Sequence, residues 1–370
     1  MLVILDLNDN NKLRIDMKKN KSSITLSSLC GIIIALSTSC SVMSKEYKTI
    51  LIHGLQPQQL ISASATNVEA DGASYWSSYW GQVSDERIDW PSYERIEGKI
   101  ATDWIWPKLK QFSEANLCDS GCVLVTHSTG DLVARYIIDN QANWLRNAGL
   151  QPLNIVATFD IAGAGGGSEL ADIAVSALTG AASWSFVIDQ ALTWWLGSDV
   201  TEAVGVLHDL KVNNARKISP VPDDRAPRLR FVADGDDFFG ATKLFLKGSD
   251  DGVVASHSSC GASRVDSFGS CSRHIASDGQ VGHQGNGVSG FMPNHYPMLM
   301  SDNYSHNSIR NAGHKGKVTV ANYAANVGGK QVSFQTYDET TGHWFWKKQY
   351  RFVADSNRLS ASELIYDAIP

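Results

Sequence analysis

Cys122-Val123-Leu124-Val125-Thr126-His127-Ser128-Thr129-Gly130-Asp131-Leu132-Val133-Ala134-Arg135-Tyr136 is the stretch whose reading decides the fold. A short β-branched apolar run stops at a cluster of small polar residues, and a helical pattern begins directly after it. Such a run reads as a buried strand, and residues 132–144 repeat their apolar positions at helical spacing. Ser128 therefore sits on a strand–turn–helix corner. Thr126-x-Ser128-x-Gly130 supplies the small flanking residues that a crowded, strained turn needs in order to present a hydroxyl. The competing reading is an ordinary strand–helix turn with a capping serine. Ser-x-Gly alone recurs by chance roughly once or twice in a chain of this composition. The apolar run before it and the helix after it favour the presented hydroxyl.

Three more runs have the same character: Thr49-Ile50-Leu51-Ile52, which ends in His53-Gly54, then residues 154–159, then Leu229-Arg230-Phe231-Val232-Ala233. Helical patterns lie between them, notably over 132–144 and 170–196. This alternation predicts a doubly wound, mostly parallel α/β sheet. After about Gly316 the character changes. Residues 317–323, 331–337 and 343–353 read as antiparallel strands joined at Asn326-Val327-Gly328-Gly329 and Thr340-Thr341-Gly342, either a small β appendage or edge strands of the main sheet. The expected organisation is a signal segment over 1–44, an α/β domain over 45–315 and a C-terminal β extension over 316–370.

With 370 residues, 43% of them hydrophobic and 19% charged, the chain is neither disordered nor collagen-like. Its net charge is -6 and its basic residues form no stripe, so nucleic acid is not an expected partner. Gly163-x-Gly165 might suggest a dinucleotide fingerprint, but Ser168 stands where the third Gly belongs and the stretch does not follow the first strand.

Lys18, Lys19 and Lys21 precede a mainly apolar run over 24–36, and Ser37, Thr38 and Ser39 lead to Cys40. This is the pattern of a bacterial secretory signal, and the run is too short for a membrane span. Asp6, Asp9 and Asp16 are out of place before a signal, which makes Met17 a candidate start. Cys40 closes a loose lipoprotein box, whose cysteine would be acylated; cleavage after Ser44 is the alternative. A secreted, periplasmic or outer-membrane lipoprotein is expected. Export favours disulfides, and the sequence-local pairings are Cys118 with Cys122 and Cys260 with Cys271. No zinc-finger spacing is present, and no metal or cofactor is expected.

Residues 123–136 resemble the elbow of the bacterial α/β-hydrolase lipases, H-S-x-G-G-L-x-A-R-Y, with Asp131 in place of the second Gly. Ile50-Leu51-Ile52-His53-Gly54-Leu55 is similar to their oxyanion strand. Residues 159–172, which end Gly167-Ser168-Glu169-Leu170-Ala171-Asp172, resemble their G-S-E-x-A-D segment without its usual P-H pair. Ser249-Asp250-Asp251-Gly252-Val253-Val254 looks like their N-D-G-x-V acid loop. The four stand in family order between residue 46 and about 300. The resemblance implies an α/β-hydrolase fold with a helical lid or cap inserted at about 168–219. It also implies cofactor-free hydrolysis of carboxylic esters, with lipids the expected substrates, through an acyl-enzyme on Ser128. An acyltransferase with the same triad and a non-catalytic binding protein on this fold are the rivals.

In this fold the triad runs Ser, then acid, then His along the chain. The resemblance points to Asp251 as the acid, with Asp236 second. Among the histidines after it, His257 is too near Asp251, and His274 and His283 fall in a Gly/Ser-rich stretch. His295 follows Asn294 and precedes a helix-like Met298-Leu299-Met300, so it is the expected base, with His306 second. The resemblance assigns the oxyanion donors to the backbone N–H groups of Leu55 and Thr129. Trp184, Phe186, Trp194 and Trp195 stand where the family carries its acyl-binding cap, and Trp184, Trp194 and Trp195 are candidate pocket residues. Tyr75, Trp76, Tyr79 and Trp80 form a second aromatic cluster. Pro297, two positions after His295, replaces the acidic ligand of the family's frequent calcium site, so that calcium is not expected.

Overall fold

The computed structural model describes residues 45–180, 186–197, 205–220, 226–238, 240–271, 278–282, 290–321 and 325–370. The segment 1–44, Trp184, His274 and His283 lie outside the described residues. Six strands run parallel: β1 (Lys48–Ile52), β2 (Glu86–Ile88), β3 (Cys122–His127), β4 (Ile155–Ile161), β5 (Arg228–Ala233) and β6 (His295–Ser301), in the order β2-β1-β3-β4-β5-β6. Beyond β6 the direction alternates. β7 (Thr319–Val320) pairs antiparallel with β6, and β8 (Ala325–Val327) and β9 (Lys330–Val332) form a separate hairpin. β10 (Thr336–Thr341) and β11 (Lys348–Val353) complete the edge in the order β6-β7-β11-β10. The C-terminal extension is thus continuous with the main sheet.

Helices α1 (Ala65–Trp76) and α2 (Trp80–Val83) lie between β1 and β2, and α3 (Trp106–Glu114) precedes β3. α4 (Gly130–Asn147) joins β3 to β4. Between β4 and β5 come α5 (Glu169–Leu178), α6 (Phe186–Leu196), α7 (Leu207–Leu210) and α8 (Val212–Ala215); α9 (Ser256–Ser259) precedes β6 and α10 (Ala361–Asp367) follows β11. Ile50 and Ile52 of β1 face one apolar layer with Leu124, while Leu51, Val123 and Val125 face the other. Strand period dictates this division, and covering both layers with helices gives the doubly wound α/β-hydrolase arrangement. α10 begins at a capping box between Ser360 and Glu363, and Ser362 Oγ accepts a 3.0 Å hydrogen bond from Trp80 Nε1.

The sequence patterns locate β1, β3, β4, β5 and α4 to within a few residues. Three expectations change. The helix-like Met298-Leu299-Met300 is strand β6, with Leu299 opposite Phe231 and Met300 opposite Val232; a short apolar run has no periodicity to separate strand from helix, and pairing with β5 decides. The helical pattern over 170–196 is two helices, α5 and α6. The pattern over 343–353 becomes a strand only at Lys348, after an exposed tip. Both cysteine pairings hold: Cys118 joins Cys122 with Cα atoms 5.0 Å apart, and Cys260 joins Cys271 at 6.3 Å.

Beneath the Ser128 corner lies a buried ion cluster. Arg228 and Arg230, two apart on β5, project to one face and are fully buried. Arg230 donates to Asp131 Oδ2 at 2.6 Å, to Asp160 Oδ2 at 3.0 Å and to the Ser259 carbonyl at 2.8 Å. Asp160 also accepts from the hydroxyls of Thr126 and Thr158, each at 2.7 Å. Burial works against both carboxylates. At Asp131 the Arg230 guanidinium outweighs it and holds the carboxyl well below its ordinary range; at Asp160 burial and the neighbouring Asp131 raise it. Asp131, in the first turn of α4, also faces the positive end of that helix. This is the role of the residue that replaces the family's second Gly. The glycine-rich stretch accommodates the same cluster: a Cβ on Gly163 or Gly165 would come within 2.7 Å of Asp131 Oδ2.

Removing one partner of a buried ion pair strands the others, at a cost of about 3–5 kcal/mol. Asp131→Asn should lower the unfolding free energy by that order in urea titrations, whereas Asp266→Asn in the exposed Arg264–Asp266 pair should leave the midpoint unchanged. Equal effects at both sites would show that the cluster contributes nothing special.

Candidate active site

Strand order reverses between β1 and β3, and in open α/β sheets the crevice beyond the C-terminal ends at such a reversal is where ligands bind. Gly54 follows β1 there and Ser128 follows β3. Ser128 has φ +56, a left-handed conformation unusual for a residue with a side chain. Its N–H donates to Ile161 O (3.3 Å) and its carbonyl accepts from Ala164 N–H (2.9 Å), so the end of β4 holds the corner from both sides. A Cβ on Gly54 would lie 2.6 Å from both Ser128 Cβ and Tyr75 Oη, and one on Gly130 would strike the Ile52 carbonyl. Only glycine permits these approaches.

His53 explains the His-Gly pair at the end of β1. It is fully buried and stacks on Trp90 at 4.9 Å, and its Nε2 accepts from Trp90 N–H at 3.1 Å. Nδ1–H therefore donates to the Gly54 carbonyl at 2.8 Å. A trans peptide sends its N–H opposite to its carbonyl, so pinning Gly54 O turns Leu55 N–H the other way. Leu55, Thr129 and Ser128 line one pocket, and among the described residues neither Leu55 N–H nor Thr129 N–H has a hydrogen-bond acceptor.

The loop after β5 carries Asp251. Its Oδ1 accepts from Val253 N–H (3.0 Å) and Val254 N–H (2.7 Å), and its Oδ2 bonds His306 Nδ1 at 2.8 Å. His306 N–H donates to Asp251 O at 2.9 Å, a second tie between the two residues. With Nδ1 engaged as donor, Nε2 of a neutral His306 is free to accept a proton. His306 lines the pocket with Ser128. Asp236 is not part of this arrangement; its Oδ1 accepts from Phe238 N–H at 2.7 Å. Asp237 grips the loop bearing His306 instead, accepting from both the backbone and side-chain nitrogens of Asn307 at 2.9 Å.

His295 stands elsewhere. It opens β6, at the opposite end of that strand from the loop bearing His306, and its Nδ1–H donates to Pro293 O at 2.8 Å. Burial, with Arg230 and Arg228 close by, pushes its pKa well below the ordinary histidine value, and its ring packs where a Cβ on Gly261 would be only 2.6 Å away. Once 295–301 is a strand, the position past its C-terminal end is His306. That signal was present in the sequence, hidden by the helix-like reading.

Two residues of the site had no role on sequence grounds. His127, just before Ser128, donates from Nε2 to the His306 carbonyl at 2.7 Å, and its Nδ1 accepts a short bond from the Tyr75 hydroxyl. Burial, then His306 and Arg310, hold its pKa far below the ordinary value, so the ring is neutral. Arg310 covers the Tyr75 ring at 4.3 Å and donates to the Tyr75 carbonyl. Tyr75, His127 and Arg310 thus brace the loop that bears His306. In the rest of that aromatic cluster, Trp76 and Trp80 are core residues and Tyr79 packs against Trp80 and Tyr366.

Pro57, Ala164, Trp195, Leu210, Phe238 and Val253 contribute apolar side chains to the pocket wall. Of the candidate cap tryptophans, Trp195 lines it, Trp194 is exposed and Trp184 lies outside the described residues.

No family model matches the chain, and a search of curated proteins returns no match. Among solved structures it resembles bacterial lipases and esterases. It is similar to the mature form of a Bacillus licheniformis lipase, at 20% identity over 59% of this chain and 80% of that one, TM-score 0.37. It is similar to a Staphylococcus hyicus lipase at 11% identity over 72% and 89%, TM-score 0.40. A metagenomic carboxyl esterase is similar at 15% identity over 58% and 60%, TM-score 0.35.

Tyr75→Phe removes the donor to a buried histidine nitrogen, and should cost about 1–3 kcal/mol of unfolding free energy in urea; an unchanged midpoint would mean that the hydroxyl braces nothing. A second expectation concerns pH. Burial raises the Asp250 carboxyl from 3.8 to about 6 in the folded chain. A raised folded value makes its contribution fully present below the unfolded pKa and lost as pH rises through about 6. Asp250→Asn keeps an acceptor for Gly252 N–H and escapes that loss. Its stability relative to the parent should therefore rise between acidic and neutral pH, and a flat difference would contradict the assignment.

Proposed function

We propose that this chain is an exported serine ester hydrolase acting on lipid esters. The observation that carries the reading is the 2.8 Å bond from His306 Nδ1 to the buried Asp251 carboxylate, in a pocket shared with Ser128. Ser128, His306 and Asp251 are the proposed nucleophile, base and orienting acid. His306 replaces His295 in that role. Ser128 Oγ attacks the ester carbonyl carbon while His306 Nε2 takes the hydroxyl proton, and Asp251 stabilises the imidazolium. The oxyanion is received by Leu55 and Thr129 N–H, each donor worth a few kcal/mol in the transition state. Collapse breaks the ester C–O bond, His306 returns its proton to the departing alcohol, and the acyl group stays on Ser128. Water then attacks the acyl carbon and gives a proton to His306, which passes it to Ser128 Oγ as the acyl C–O bond breaks, releasing the acid and the free serine.

An acyl chain suits the apolar wall between Leu55 and Phe238. The insertion supplies Trp195 to that wall and turns Phe186, Val187 and Trp194 outward. An apolar patch uncovered in water is unfavourable, so a lipid interface would favour an open cap by its differential affinity. Export is supported by the Cys118–Cys122 and Cys260–Cys271 pairs, which persist in oxidising compartments. Among the described residues no helix is long and apolar enough to cross a membrane.

Ser128→Ala should abolish hydrolysis of p-nitrophenyl esters without changing the melting temperature, and His306→Ala should lower kcat by about 10³-fold or more. His295→Gln should leave kcat within a few-fold while lowering stability; the reverse ranking would sink the assignment of the base. Trp194→Ala with Trp195→Ala should reduce turnover of emulsified long-chain esters more than of soluble short ones. Equal losses would make the insertion a fixed wall.

A further inference from the structure

The β10–β11 hairpin ends in Gly342-His343-Trp344-Phe345-Trp346-Lys347, and its three aromatic side chains are 83%, 92% and 82% exposed. They are the most exposed large apolar side chains among the described residues. The tip is held in shape. Six residue pairs, from Thr336 with Val353 to Thr341 with Lys348, form the hairpin ladder, and Trp346 N–H closes the turn on His343 O at 3.1 Å. Gly342 has φ +86 with a Cβ position 2.6 Å from Trp346 O, and Trp344 itself has φ +53. A tryptophan in the left-handed region is strained, and such strain persists only where the surrounding structure imposes it. The segment 278–281 fastens the hairpin from the side: Val281 N–H donates to Gln349 O at 2.7 Å and Arg351 N–H to Gly279 O at 2.8 Å.

Charge completes the picture. The acidic residues of β10 are neutralised within the hairpin region, Asp338 by Arg351 at 2.9 Å and Glu339 by Lys317 at 2.6 Å. Lys347 and Lys348 make no ion pair among the described residues. A chain of net charge -6 therefore carries, at this tip, two unpaired cations beside three exposed rings. Tryptophan prefers the headgroup level of a bilayer, where its ring is partly apolar and partly wet, and adjacent lysines are drawn to anionic lipid.

We propose that Trp344, Phe345 and Trp346 dock the protein on an anionic phospholipid surface, with Lys347 and Lys348 at the headgroups. β11 runs in the same sense as β6, and the tip precedes β11. It therefore does not belong to the loops at the C-terminal strand ends that hold Ser128. The contact lies at the end of the sheet opposite the Ser128 pocket, and goes beyond the hydrolase reading without depending on it.

The test uses the full chain carrying Ser128→Ala, so that vesicles stay intact and binding is read without turnover. Flotation is measured with phosphatidylcholine vesicles, alone and with roughly a third phosphatidylglycerol. The parent should float with the anionic vesicles, and Trp344→Ser/Phe345→Ser/Trp346→Ser should bind at least about ten-fold more weakly at an unchanged melting temperature. Lys347→Glu/Lys348→Glu, which leaves the rings in place, should lose the preference for anionic vesicles and serves if the triple variant melts early. Absence of vesicle binding by the parent, or equal binding by parent and variants, overturns the proposal. So does a triple substitution that turns a dimer into a monomer in equilibrium sedimentation without altering flotation, since the tip would then be a contact between copies.

Discussion

Two guanidinium groups and two carboxylates, sealed from water beneath the Ser128 corner, couple the parts that the rest of the structure hangs on. Arg230 reaches from β5 to Asp131 at the start of α4 and to Asp160 on β4, and Thr126 on β3 joins through its hydroxyl. Burying four charges is unfavourable unless each finds its partners, so the three central strands and the helix must meet in one register. That register sets where β3 stops, and hence where Ser128 turns. A cluster of this kind adds little net stability over apolar packing; what it specifies is an arrangement.

The site above the cluster is assembled from loops that hold one another. Asp237 grips Asn307, Asp251 grips His306 through side chain and backbone, and His127 grips the His306 carbonyl from the serine's own strand. Two of these contacts are made by a group whose other end is fixed: Asp251 by two backbone N–H groups, His127 by the Tyr75 hydroxyl. Precision in such a site comes from the second layer of contacts as much as from the first.

What the residues disclosed in advance follows the same physics. β1, β3 and β4 were legible because short, β-branched, mostly apolar runs stop at small or polar residues, and the Ser128 corner because small residues flank it, Gly130 lying against the Ile52 carbonyl. Asp251 was singled out through the resemblance of Ser249-Asp250-Asp251-Gly252-Val253-Val254 to an acid loop. β6 was hidden because Pro297 and three residues of high helix propensity interrupt its strand signature, and that helix-like reading placed the expected base at His295 rather than at the His306 proposed above. The ion cluster was hidden more deeply. Arg228 and Arg230 look like surface residues in any reading of one strand by itself, and their partners lie about 70 and 99 residues away. The exposed Trp344-Phe345-Trp346 tip was absorbed into a predicted strand because aromatic residues raise strand propensity wherever they stand.

The position of β6 in the chain also has a consequence for assembly. His306 and Asp251 are 55 residues apart in sequence, and between them lie α9, the Cys260–Cys271 pair and the whole of β6. Closing a loop of that length exacts an entropic toll before the strand pairing returns anything, so β6 is expected to join a sheet already formed through β5. A chain stalled at that stage has its corner serine in place but not His306 beside it. During biosynthesis the proposed nucleophile would lack its proposed base until β6 docks, which would confine any reactive form of this protein to molecules whose parallel sheet is complete.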